Sequence, residues 1–114
     1  MATPTTAGLK LGTTLYSLTS EFHGREYTFE QPVRKVAAEK LGPGLEIVGF
    51  QSIRGFPAIS DDFAARFEDL IQESGLTRSC LGINADVWLD PDKTMSTAAV
   101  VAYHVPQLRA AAKL

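Results

Sequence analysis

The chain has 114 residues, 45% of them hydrophobic, which suits one domain with its own core and argues against a second. Lys and Arg total 11 against 13 for Asp and Glu, and the net charge of -2 offers no broad attraction to nucleic acid or to an anionic membrane. No apolar h-region opens the chain and no run approaches the roughly 18 residues of a membrane span, so a soluble, cytoplasmic protein is expected.

Residues 1–8 are Thr, Ala and Pro without periodicity and read as a flexible leader, with the folded unit expected over 9–114. Lys10 to Leu18 (KLGTTLYSL) is β-branched and apolar over a strand-like length, and the polar SEFHGRE that follows reads as a loop. Thr28 and Gln31 match a capping box with Tyr27 as the staple, so a helix is expected there. Its stripe is Phe29, Val33, Val36, Ala37 and Leu41, and Gly42-Pro43-Gly44 ends it.

Leu45 to Ile53 (LEIVGFQSI) is a near-continuous apolar run, the pattern of a parallel strand covered on both faces. After RGFPAI, Ser60 is a good N-cap, Asp61 and Asp62 suit the positive end of the helix dipole, and Phe63, Phe67, Leu70 and Ile71 form the buried stripe up to Gly75. Thr77 to Asn84 gives a third strand, and ADVWLDPDKTM a long polar loop. A last helix capped at Ser96 or Thr97 should bury Val100, Val101, Val105, Leu108 and Ala112, with a kink at Pro106. The lone Cys80, among Leu, Gly and Ile, reads as a small buried hydrophobe.

Three strand-helix units in succession predict an α/β fold with right-handed crossovers and the helices on one face of a parallel sheet. Such a sheet leaves its other face and its edges bare, exposing Val48, Phe50 and Leu81. The sequence also stops on AAAKL without a cap, so further strands are expected from a C-terminal continuation, a second chain or a symmetric partner. No Walker loop, GxGxxG, CxxC pair or HExxH is present to support a nucleotide, structural zinc or metalloprotease reading.

Several residues could touch a ligand if the strands carry their site at their C-terminal ends. Tyr16 by alternation, then Glu21, Phe22 and His23, follow strand one. Glu46 is a carboxylate within an apolar strand and must be paired, protonated or functional; an Arg or Lys partner is the structural alternative. Gln51 could bind a hydroxyl, Arg54 an anion, and Asn84 and Asp86 further hydroxyls, with Trp88 available for stacking. His104 beside the apolar stripe of the last helix reads as a structural histidine.

With the strands placed, LGTTLYSLTSEF, GPGLEIVGFQS and CLGINAD resemble the first three strand ends of the xylose isomerase-like sugar phosphate isomerase and epimerase family. Gly44-Leu45-Glu46-Ile47 is the most telling piece. The resemblance implies the first three units of a (β/α)8 TIM barrel, an incomplete parallel sheet with helices on one face, and a sugar or sugar-derived substrate. It further implies a metal-dependent isomerase or epimerase as the parent, with manganese or magnesium held by residues of later strands and no metal ligand in this chain. Here the chain would supply pocket walls: Tyr16, Phe22, His23, Glu46, Gln51, Asn84 and Asp86. Within the family the chain is also similar to the barrel subunits of enzymes that cleave oxidised C-glycosides. The alternative is a non-catalytic fragment or small subunit that folds by associating with itself or with a larger barrel partner.

Overall fold

The computed structural model describes residues 10–24, 27–83, 85 and 95–114. The leader, Asn84, Asp86 and Trp88 lie outside them. Three parallel strands, β1 (Gly12–Thr14), β2 (Gly44–Val48) and β3 (Thr77–Gly82), form one sheet in the order β1-β2-β3. The order of elements is β1, a 3-10 turn (Leu15–Leu18), α1 (Thr19–His23), α2 (Glu30–Ala38), β2, α3 (Gly49–Ser52), α4 (Asp61–Ser74), β3 and α5 (Thr97–Lys113). The expected α/β class and parallel sheet are therefore present.

Alternation along β2 decides which face is covered. Leu45 and Ile47 join Val33 and Val36 of α2 and Phe67, Leu70 and Ile71 of α4 in one buried cluster. Glu46, between them, faces the other side, where no helix among the described residues lines the cavity. Both crossover helices thus share one face of the sheet, as right-handed connections between neighbouring parallel strands require.

Local chemistry explains the helix starts. Ser60 Oγ accepts from Phe63 N at 3.1 Å and Ser96 Oγ from Ala99 N at 3.2 Å, two side-chain caps on otherwise orphan amides. Half of the expected capping box forms: Gln31 Oε1 accepts from Thr28 N at 2.6 Å, while Phe29 occupies the N-cap position. At the other end of α4, Gly75 adopts φ 69°, and its N–H reaches Ile71 O at 3.0 Å.

Several expected boundaries are corrected. β1 ends at Thr14 rather than Leu18, because Thr14 Oγ1 accepts from Tyr16 N at 3.2 Å and turns the chain into the 3-10 segment. Within the polar stretch expected as a loop, Thr19–His23 coils into α1. β2 stops at Val48, and Gly49–Ser52 becomes α3, with Ser52 Oγ accepting from Val48 N at 3.2 Å. α2 ends at Ala38, which leaves Leu41 beyond the helix and exposed. Cys80 is exposed, because β3 is the outer strand of the sheet as described.

The largest departure is α5. It runs continuously through Pro106 and buries Gln107 and Ala110, while Val101 and Leu108 of the expected apolar face are exposed. Two anchors fix its place: Tyr103 stacks on Phe50, just beyond β2, and Lys113 Nζ reaches Ile59 O at 2.7 Å and Asp61 Oδ1 at 2.6 Å. Since α4 runs back from the end of β2 to the start of β3, both anchors lie where the strands finish. The last residues of the segment, Ala111 and Leu114, line an opening with Leu45, Arg78 and Leu81, and residues 77–80 of β3 stay exposed.

α2 and α4 are tied at their surface by Glu30, Arg34, Arg66 and Glu73. Arg66 Nε donates to Glu30 Oε1 at 2.8 Å and Arg34 to Glu73 Oε2 at 2.7 Å. The hydrogen bond from Arg66 holds the Glu30 carboxyl below its ordinary value of 4.5. A lowered carboxyl contributes stability above the unfolded pKa and loses it as pH falls through the folded one. Between pH 7 and pH 3 the wild-type chain should lose more stability to urea than Glu30→Gln does. Equal losses in the two would show that Glu30 carries none of the acid sensitivity.

Candidate functional site

On the uncovered face, strand register sets three side chains in one row: Thr14 pairs with Glu46, and Glu46 with Cys80. A β-bulge between Leu45 and Glu46 places Ser79 between the partners of those two residues, re-aiming β3 at this level. The row borders an open cavity of about 590 Å³ whose other walls include Lys10, Pro43, Gly44 and Thr77. These walls include residues at or just before the beginnings of the strands. The cavity therefore extends from Glu46 toward the N-terminal end of the sheet.

The Glu46 carboxylate leans along β3. A Cβ at Gly82 would lie 3.3 Å from Glu46 Oε1 and 3.4 Å from Val48 Cγ2, so the missing side chain gives the carboxylate its room. The Cys80 thiol donates to Glu46, and local desolvation, then the negative charge and this hydrogen bond, raise the thiol above its ordinary value. The thiolate, the reactive form, is thereby disfavoured at neutral pH. Glu46→Gln should speed reaction of this single thiol with a disulfide reagent severalfold at pH 8, and an unchanged rate would show that Glu46 does not hold the proton. Chemically, the row offers an acceptor (Glu46), a hydroxyl (Thr14) and a protonated thiol (Cys80), a set that binds hydroxyl groups.

The structure brings Glu46 to this face but disperses the other expected residues. Tyr16 sits in the 3-10 turn beyond β1 with its residue 56% exposed, directed by the turn rather than by strand alternation. His23 ends α1 and is exposed. Phe22 belongs to α1, and its side chain lies outside the described part, as do Asn84 and Asp86. Gln51 lies in α3 against Leu15, Leu18, Phe29 and Pro32, with Oε1 buried and without a hydrogen-bond partner among the described residues. That position is apart from the cavity beside Glu46.

Two participants have no counterpart among the residues expected from sequence. No basic cluster along the chain marks Cys80, and its contact with Glu46 arises from strand register. Tyr103 meets Phe50 through the placement of α5, at a sequence distance that no local pattern encodes. Among the described residues no three His, Cys, Asp or Glu side chains converge as a metal-ligand set. Among them also, no helix is long and apolar enough to cross a membrane.

No family model matches the chain. Curated relatives do. It is 52% identical over 103 residues to the C-glycoside deglycosidase alpha subunit of Microbacterium trichothecenolyticum, covering 90% of this chain and 28% of that protein. It is 44% identical over 105 residues to the 3'-dehydrocarminate deglycosidase alpha subunit of a Microbacterium species, covering 92% and 30%. A C-glycoside deglycosidase alpha subunit of Arthrobacter globiformis is 45% identical over 104 residues, covering 90% and 28%. The chain thus spans about 30% of the length of the curated relatives it matches. These names overturn the xylose isomerase-like isomerase and epimerase reading of the sequence: the similar proteins are deglycosidase subunits.

Proposed function

We propose that this chain forms the first three strand-helix units of a barrel-type alpha subunit in an enzyme that removes the sugar from a C-glycoside. The carrying observation is the one-sided sheet: two crossover helices bury Leu45 and Ile47, while an open cavity borders Glu46 on the other face. In a closed barrel that face lines the interior, and the chain ends following the strands carry the ligand contacts. The level of identity to the alpha subunits supports the reading.

In this reading the chain supplies wall rather than the whole reaction centre. Glu46, with Thr14 and Cys80, accepts and orients hydroxyl groups or interior side chains from the strands that complete the barrel. Tyr16, Phe22, His23, Asn84 and Asp86 belong to the segments at or after the strand ends and serve as contacts to a sugar-derived substrate, while Gln51, packed against Leu15, Leu18, Phe29 and Pro32, supports that end from beneath. A divalent cation such as manganese or magnesium is assigned to the whole enzyme, with its ligands outside these residues. The partner is the remaining barrel, on the same or a second chain, in a cytoplasmic enzyme.

A chimaera tests the proposal directly. The aligned 103 residues of the Microbacterium trichothecenolyticum subunit are replaced by this chain, and the assembled protein is assayed for sugar release from a C-glycoside. Release is expected, with Glu46→Ala reducing it by at least tenfold. A chimaera that folds and assembles yet releases nothing contradicts the proposal.

A further inference from the structure

The ion pairs among the described residues leave the Glu46 carboxylate without a cation. Lys10 lines the far end of the same cavity, before β1 begins, and is not paired with it. The Cys80 thiol gives Glu46 one hydrogen bond, a weak one, whereas the two oxygens of a carboxylate accept about four. Thr14 Oγ1, on the other side of the row, is itself an acceptor engaged by Tyr16 N at 3.2 Å. Gly82 keeps space at Oε1, where a Cβ would stand 3.3 Å away. The row thus holds a negative charge, acceptor atoms and room, and lacks a strong donor.

The level of this row favours a protein group over the substrate. The cavity of about 590 Å³ opens from Glu46 toward Lys10, Pro43, Gly44 and Thr77, where the strands begin. Parallel α/β sheets take their ligands at the opposite end, where the strands finish. Closing a barrel around Glu46 removes water from its carboxylate, and an enclosed charge without a counter-charge is strongly unfavourable. A guanidinium answers this need best: it has five N–H donors and no acceptor, in a fork that grips both carboxylate oxygens. The matched stretch is 28% of the Microbacterium trichothecenolyticum subunit, so strands outside it are the source of such a group.

We propose that Glu46 receives a guanidinium group, that of an arginine on a strand completing the barrel, in an interior ion pair flanked by Thr14 and Cys80. The inference deepens the proposed function, on which it rests, by giving the Glu46 row a cationic protein partner in place of a sugar hydroxyl.

Butylguanidinium stands in for the arginine, and butylurea for the same shape without the charge. Each is titrated into the isotope-labelled chain while its amide signals are followed by NMR. Butylguanidinium should shift the amides of Glu46, Cys80 and Gly82 saturably in the millimolar range, with butylurea and methyl β-glucoside at least about fivefold weaker there. Glu46→Gln should weaken the butylguanidinium response at Cys80 and Gly82 by a similar factor, about fivefold or more. If Glu46→Gln does not fold, the comparison with butylurea on the wild-type chain decides. No saturable shift, shifts confined to the Glu30, Arg34, Arg66 and Glu73 surface network, equal binding of butylurea or of the glucoside, or undiminished binding to Glu46→Gln overturns the pairing. A failed pairing leaves sugar release by the chimaera to decide the enzyme reading, and an inactive chimaera with intact butylguanidinium binding removes that reading alone.

Discussion

Replacing Phe67 with alanine should cost about 3–5 kcal/mol of stability, the range for truncating a fully buried aromatic side chain. Phe67 is 2% exposed and sits at the meeting of α4 with the covered face of the sheet. Its ring lies edge-on to Phe29 at 5.7 Å, and the Arg78 guanidinium of β3 stands 5.4 Å from its centroid. Removing the ring therefore loosens α2, α4 and β3 together. It would also enlarge an existing opening of about 220 Å³ that Phe67 lines with Leu45, Ile47, Leu81, Ala111 and Leu114. Small domains hold only about 5–15 kcal/mol in total, so the variant should approach the unfolding threshold. A thermal midpoint lowered by on the order of 10 °C or more is the expected result. A urea midpoint within experimental scatter of wild type would show that α4 does not depend on this ring.

Gly49→Ala should destabilise the chain by about 1–3 kcal/mol, although alanine is ordinarily the better helix former. The added methyl would lie 2.5 Å from one Phe56 ring carbon and 2.6 Å from another, and Phe56 is only 6% exposed with little space to retreat. Gly55→Ala is the informative comparison: a Cβ there would meet no atom within 4 Å, and the φ of 82° leaves backbone strain alone. Urea midpoints should place Gly49→Ala well below wild type, with a changed near-ultraviolet signal from the displaced rings. A stabilised Gly49→Ala would contradict the described packing of Phe56 on α3.

Much of the architecture is written locally. Ser60 and Gly75 bracket α4 by capping chemistry, so its limits are legible in short windows, whereas the apolar run of β2 suggests cover on both faces and the structure packs helices on the Leu45 and Ile47 face alone among the described residues. Strand ends are less legible, because Thr14 and Ser52 redirect the backbone with hydroxyl contacts that apolar patterning does not register. The place of α5 is illegible: its apolar residues suggest a stripe facing the sheet, whereas Tyr103 and Lys113 tie it to groups more than fifty residues earlier. Of the site, Glu46 is visible as a carboxylate in an apolar strand. Its contact with Cys80 depends on register and on a bulge, which only the assembled sheet determines. Alternation beyond Thr14 would have turned Tyr16 inward, and the 3-10 turn cancels it.

The Glu46 face and the outer edge of β3, as described, present sheet surface that the strands of a completed barrel would cover. Among the described residues one face of the parallel sheet is uncovered and the outer edge of β3 unpaired, features that favour association. Light scattering on the purified chain measures this most directly. Association into a species heavier than the 12.3 kDa chain is the predicted result. A folded, stable and monodisperse 12.3 kDa monomer would contradict it.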